Sequence, residues 1–362
     1  MALLYLIGQL HCGGTERQLY YLLKAMDRKR HKPAVAVWNF SNNDVYVPQL
    51  EALGVPLYPI PRGYSAVARL HSFCRLIDDL KPKVIHSYSF YLNFAAYWAA
   101  RGRPITAIGS SRSDLIFNRN NSGSVVGRLS ARWPRYQISN NLMAVKRAFS
   151  ERTFFAPRNF SIIRNCIDFE TFRMLPLSQG NSSMIAGVGS LIPVKRWDRL
   201  LVAASELKSK GLNFHIQIAG DGPLRRQLQL QTTKLGVADR VDFLGYIDDV
   251  SSFLANSAIL VHTSDLEGCP NSVMEAMACG RAVIATNAGD TSFLVQEGRT
   301  GFIVPRGDTN ALVDRLSQLI IDGELCRSMG EAGRAMAEAE FRVDQFVKQT
   351  LAAYENAGWS GA

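Results

Sequence analysis

The 362 residues are 47% hydrophobic and 20% charged, a balance ordinary for a folded enzyme that excludes a chain disordered by composition. A single core rarely grows past roughly 250–300 residues, so two domains are expected. The net charge is +10, and all of it lies between Arg101 and Asn165, where twelve basic residues are opposed only by Asp114 and Glu151. Such asymmetry points to an anionic partner.

Met1–Ile7 is apolar but short, lacks a basic flank and runs straight into Gly8-Gln9. It reads as a buried first strand, not a signal peptide, and no apolar run reaches the roughly 18–20 residues of a membrane span. A cytoplasmic protein is expected. The cysteines at 12, 74, 166, 269, 279 and 326 form no C-x-x-C pair, and the histidines stand apart from one another, so no metal is expected.

Along the chain, short β-rich runs alternate with helical stretches. Leu3–Ile7 reads as a strand, then Gly13-Gly14 and an amphipathic helix from Thr15. Ala34–Trp38 is strand-like, Tyr46–Leu53 and Ala66–Leu80 are helical, and Val84–Ser87 and Ile105–Ser110 are strand-like. The segment 168–181, with Pro176, Gly180 and Asn181, breaks the rhythm and reads as an interdomain linker. A second series follows: strands Met184–Val188, Phe214–Ala219, Val241–Leu244, Ile259–His262 and Ala282–Ala285, with helices Trp197–Leu207, Leu224–Leu235 and Ser272–Cys279 between them. Repeated βα units predict doubly wound parallel sheets, whose ligands sit outside the carboxyl ends of the strands.

The segment Ser264–Gly280 carries the most chemistry. A strand delivers Glu267 into a loop shaped by Gly268 and Pro270. Asn271 reads as an N-cap, and a short helix runs to a stop at Gly280. The first N–H groups of that helix, at Ser272, Val273 and Met274, are donors without a helical partner and make an anion site suited to a diphosphate. Glu275, one turn in, is within reach of ribose hydroxyls, and Glu267 lies nearer the sugar. Taken singly, each glutamate also fits a solvated loop acid or an acid stabilised by the helix dipole.

This segment resembles the E-x7-E signature of family-4 retaining glycosyltransferases of the GT-B fold. The pattern continues in order through Val188–Lys195 (V-G-S-L-I-P-V-K), Ala219–Pro223 (A-G-D-G-P), Phe243–Gly245, Ala282–Asp290 and Glu297–Pro305. Looser matches lie at Gly13–Glu16, Val84–Ser87, Ile138–Asn141 and Ile162–Asp168. The resemblance implies two Rossmann-like α/β domains facing a deep cleft: an acceptor-side domain at 1–167, a donor domain at 182–345, and a C-terminal helix at 346–362 that crosses back to the first domain. It implies that Glu275 binds the donor ribose, Glu267 contacts the donor sugar and Lys195 neutralises the leaving diphosphate without a metal. Gly13 and Gly14 would approach the phosphates, and Gly222 and Gly245 would line the base pocket, although Gly13-Gly14 alone fits a plain β-to-α turn equally well. Pro270, Asn271, Ser272 and Val273 complete the donor set.

Two departures stand out. Ser190 replaces a family arginine, and the adjacent Arg196 would not share a face with Lys195. Tyr88 stands where many members carry a second histidine two residues after His86. His86 itself is either a site residue or a strand-end structural one.

In the basic stretch, Ser124–Arg132 reads as a helix with Val126, Leu129 and Trp133 on one side and Arg128 and Arg132 on a flanking face. With Arg119 and Arg135 it forms either a basic surface packed by its apolar side or a docking face for an anionic membrane or acceptor. The expected activity is transfer from a nucleotide sugar, UDP-sugar favoured, to a glycan or lipid-linked acceptor in envelope or extracellular polysaccharide assembly. The protein would be a monomer or weak dimer, at most peripheral on the inner membrane face, with no nucleic-acid partner. A nicotinamide oxidoreductase is excluded because G-Q-L-H-C-G-G replaces G-x-G-x-x-G after the first strand. A nucleotide-sugar-binding partner protein without catalysis stays open through Ser190 and Tyr88.

Overall fold

Parallel strands buried on both faces need crossover connections, and the amphipathic stretches between the apolar runs supply them. A computed structural model describes residues 2–61, 65–112, 118, 121–150, 156–176 and 183–361; Arg119 and residues 177–182 lie outside these. The chain divides into two units, Met1–Cys166 with Val343–Ala362, and Ile167–Arg342.

The first unit holds β1 (Leu3–Ile7), β2 (Pro33–Val37), β3 (Leu57–Pro59), β4 (Val84–Ser87), β5 (Thr106–Ser111), β6 (Tyr136–Ser139) and β7 (Asn159–Ile162), in the order β3-β2-β1-β4-β5-β6-β7 with every pair parallel. The order reverses between β1 and β4, so their carboxyl ends diverge and open a crevice. The helix Gly14–Ala25 buries Leu19, Leu22 and Leu23 at helical spacing against this sheet. The helix Val343–Asn356 adds Phe346, Ala353 and Tyr354 to the same core.

The second unit holds β8 (Met184–Val188), β9 (His215–Ala219), β10 (Val241–Gly245), β11 (Ile259–His262), β12 (Ala282–Thr286) and β13 (Gly301–Val304), all parallel, in the order β10-β9-β8-β11-β12-β13. Its order reverses between β8 and β11.

The unit boundaries depart from those read in the sequence. The described part of the expected linker, 168–176, is packed structure: Ile167 and Phe172 are buried in the second unit's core, and Arg281 and Arg334 donate hydrogen bonds to the carbonyls of Leu175 and Phe172. Ile167 N–H donates to Phe341 O at 2.8 Å, so the chain enters and leaves the second unit side by side, and the last segment begins at Val343, not 346. A Pro- and Gly-rich stretch without periodicity can still be ordered when its few apolar residues find a core.

Several elements carry no clean periodicity in the sequence. The helix Asn93–Ala100 reads N-F-A-A-Y-W-A-A and has almost no polar face. β6 places Gln137 and Ser139 inside, where Gln137 Nε2 donates to Ser130 O at 3.0 Å and Ser139 Oγ donates to Asn141 O at 3.2 Å.

Candidate active site

The second unit gathers its chemistry at its switch point. The loop after β8 ends in the 3-10 turn Pro193–Lys195, and the loop after β11 carries Glu267. Thr263 Oγ1 donates to Lys195 O at 2.8 Å and Asp265 N–H donates to Val194 O at 2.9 Å, clasping one loop to the other. Lys195 Nζ then lies 2.6 Å from Glu267 Oε1, and His262 Nε2 lies 3.1 Å from the same oxygen. Burial alone would raise the Glu267 carboxyl; the Lys195 charge, with hydrogen bonds from His262 and Lys195, holds it well below the usual carboxylate range. A buried carboxylate held as an anion next to a lysine can place charge but is a poor proton donor.

Sequence reasoning passed over His262. It is buried at the end of β11, with Nδ1 lacking a hydrogen-bond partner among the described residues. Its signal was a histidine five residues before Glu267, at the last position of an apolar strand. Gly289 holds the Glu267 loop from the other side: with φ at +59°, a Cβ there would lie 2.5 Å from the carbonyls of both Glu267 and Gly268.

The helix that follows spans Asn271–Ala278 and is buried along its length. Pro270 holds the cap position and Asn271 is the first helical residue, so Asn271 is not the N-cap. Met274 N–H donates to Pro270 O at 3.4 Å and therefore leaves the expected anion set. The helix itself offers no carbonyl to the N–H groups of Ser272 and Val273. Glu275 is buried one turn in.

Close backbone approach is itself a reason for glycine at 220 and 222, and a φ of +77° is one at Gly245. A Cβ at Gly222 would lie 2.7 Å from Leu191 O, and one at Gly220 would overlap Gly189 O. Gly220 N–H also donates to Gly245 O at 2.7 Å. Gly222 and Gly245 thus belong to three strand-end loops pressed backbone to backbone beside Lys195. Ser190 is exposed, and its carbonyl accepts from Trp197 Nε1 at 3.0 Å. Arg196 does not fill the place of the missing arginine: its guanidinium is held by Asp198 at 2.9 Å and Asp265 at 3.0 Å.

In the first unit, Gly13 is the extended cap residue and Gly14 the first residue of the helix Gly14–Ala25; a Cβ at Gly13 would meet the Glu16 carboxylate. His86 corrects its expected catalytic role. It is 1% exposed, Nδ1 lies 2.7 Å from Tyr354 Oη and Nε2 lies 2.9 Å from Ser110 Oγ, so both ring nitrogens are engaged inside the core. Burial pushes its pKa well below the usual value, helped by the Arg112 charge.

The basic helix Ser124–Arg132 buries Gly127, Ser130 and Ala131; of the apolar side its pattern suggested, Trp133 stacks on Tyr97 with ring centroids 4.4 Å apart and Leu129 is half-buried, but Val126, like Val125, is exposed. Arg128 and Arg135 are exposed, but Arg132 turns inward to donate to Ala156 O at 2.9 Å and is no part of that surface.

Two α/β units with doubly wound parallel sheets are the architecture of the GT-B fold, and in the second unit a lysine–glutamate pair stands before a buried helix start. The chain matches the family of glycosyl transferases group 1 over residues 168–336 and a glycosyl transferase 4-like domain over residues 13–153, and it belongs to this family. Among relatives, it is 31% identical to N-acetyl-alpha-D-glucosaminyl L-malate synthase of Bacillus anthracis over 169 residues, 47% of this chain and 44% of that protein. It is 27% identical to the lipopolysaccharide core biosynthesis glycosyltransferase LpsE of Rhizobium meliloti over 171 residues, 47% of this chain and 48% of that one. Both matches span less than two thirds of the relative's length. The fold is shared with Anabaena HepE in complex with UDP (TM-score 0.82, 20% identity, 98% of this chain and 100% of that one). It is also shared with the lipopolysaccharide outer core galactosyltransferase WaaB (TM-score 0.80, 15% identity, 98% and 99%).

Proposed function

We propose that this chain transfers a sugar from a nucleoside-diphosphate sugar, UDP-sugar favoured, to a hydroxyl of a glycan or lipid-linked acceptor. Transfer would keep the anomeric configuration, need no divalent metal and serve envelope or extracellular polysaccharide assembly. The observation that carries this reading is the Lys195–Glu267 pair, 2.6 Å apart at the switch point of the second unit, followed by the start of the helix Asn271–Ala278.

Lys195 gives the leaving diphosphate a fixed cation as its charge grows, the work a metal does elsewhere. Ser272 and Val273 N–H groups meet the same diphosphate, Glu275 accepts from the ribose, and Glu267 accepts from donor-sugar hydroxyls. The departing phosphate oxygen takes the proton of the acceptor hydroxyl on the face it leaves, which retains configuration. A neighbour of the same fold solved with UDP and a relative named as a GDP-mannose-dependent mannosyltransferase make uridine and guanosine the bases to compare.

A thermal-shift panel of UDP, GDP, ADP and CMP on wild type and Glu275→Gln tests the reading. One diphosphate at 100 times its dissociation constant should stabilise wild type by about 2.7 kcal/mol and the variant far less. No shift with any nucleotide would overturn catalysis here. Binding without donor hydrolysis or transfer would favour the partner-protein reading that Ser190 motivates.

A further inference from the structure

The first unit has its own opening at its switch point: a cavity of about 350 Å³ at the ends of β1, β4 and β5, lined by Gly8, Thr15, Glu16, Tyr88 and Arg112 among others. That volume suits one sugar-sized or smaller group. Arg112 directly follows β5, with its guanidinium carbon 4.2 Å from the centre of the Tyr88 ring. Among the described residues its hydrogen bond is long, 3.5 Å from Nη1 to Asn165 Oδ1, and its buried Nε has no partner. Among the same residues no carboxylate lies within ion-pair distance of it. Tyr88, 1% exposed, has a hydroxyl that meets no polar group but the Arg112 guanidinium among those residues.

A partly buried guanidinium without a counter-charge is costly unless a ligand supplies one. Its planar fork matches a phosphate or carboxylate better than a neutral hydroxyl. We propose that this cavity binds an acceptor bearing an anionic group, phosphate or carboxylate, with Arg112 as its anchor and the Tyr88 hydroxyl as a second donor. Glu16 accepts from a hydroxyl of the same molecule. Burial raises the Glu16 carboxyl, and its own backbone hydrogen bond with the His11 and Arg112 charges partly restores it; Glu16 and Arg112 line the same cavity without forming an ion pair. The proposal rests on the glycosyltransferase reading and names the acceptor class for it.

Isothermal titration of the full chain with glycerol 3-phosphate, 3-hydroxybutyrate and glycerol, and separately with UDP, tests it. The two anions should bind and glycerol should not. Arg112→Gln should weaken the anions by at least about tenfold, Arg112→Lys by less, and both should keep the UDP affinity within about twofold. Anions that bind no better than glycerol would overturn the proposal. So would a loss of UDP affinity in Arg112→Gln with the anions unaffected, which would assign the arginine to the donor diphosphate. Wild type failing to bind UDP while still discriminating the anions would count against the glycosyltransferase reading and not against the cavity.

Discussion

A carboxylate taken out of water costs several kcal/mol unless a cation meets it, and Glu267 is met by Lys195 and by the His262 ring. Removing the lysine therefore does two separable things. Lys195→Met should lower kcat for transfer by about 10²–10³-fold, as loss of a transition-state donor does. It should also cost about 3–5 kcal/mol of stability by stranding the buried anion. Adding Glu267→Gln should return most of the stability and none of the activity. Recovery of activity in the double variant would show that the pair is structural and that the diphosphate charge is met elsewhere.

At the scale of elements, the helix Val343–Asn356 is fastened to its sheet by a buried polar chain, Tyr5 Oη, Tyr354 Oη, His86 and Ser110 Oγ, with Tyr354 donating to Tyr5 at 3.3 Å. Burial pushes the Tyr354 phenol far above its usual pKa and keeps His86 neutral. The unfolded chain takes up the His86 proton below about pH 6.5 while the folded chain refuses it, so this site's stability is full above that pH and declines on acidification. The slope is at most about 1.4 kcal/mol per pH unit. The melting-temperature gap between wild type and His86→Gln should therefore narrow from pH 7.5 to 5; a gap indifferent to pH would mean that His86 is protonated in the fold. The basic helix makes the opposite point. Its small residues face inward because close helix packing needs them, and its valines are left outside.

For the molecule as a whole, the charge is the dominant asymmetry: the net +10 resides in one stretch of the first unit. There, exposed Arg128, Arg135, Lys146 and Arg147 lie on or next to two helices that also expose Val125, Val126, Met143 and Phe149. Basic and apolar side chains together favour an anionic lipid surface, where each basic residue contributes about 1 kcal/mol. Among the described residues no helix is long and apolar enough to cross a membrane. Co-sedimentation with phosphatidylglycerol liposomes should be strong at low salt, weak at high salt, and reduced by Arg128→Glu with Arg135→Glu. Absence of binding at low salt would remove the membrane from the reading.

The second unit was legible in the sequence almost strand by strand because buried parallel strands are continuous apolar runs and their loops carry glycine where backbones touch. Glu267 and the helix after Pro270 could be named because they lie just past such a run, whereas Lys195 was named only through the family resemblance. The linker and β6 were not legible: Phe172 is buried only by a distant core, and Gln137 sits inside because the carbonyls of Ser130 and Ala131, on the helix before its strand, accept its amide. The sequence by itself determined the parallel α/β architecture, the family and the place of the charge, since these rest on local pattern and order. Only the tertiary structure decided that His86 is a core residue, that Arg132 turns inward, that His262 joins Glu267 and that Arg112 makes no ion pair among the described residues. Whether a polar side chain is engaged or available depends on partners that are often tens to hundreds of residues away, and no local pattern records them.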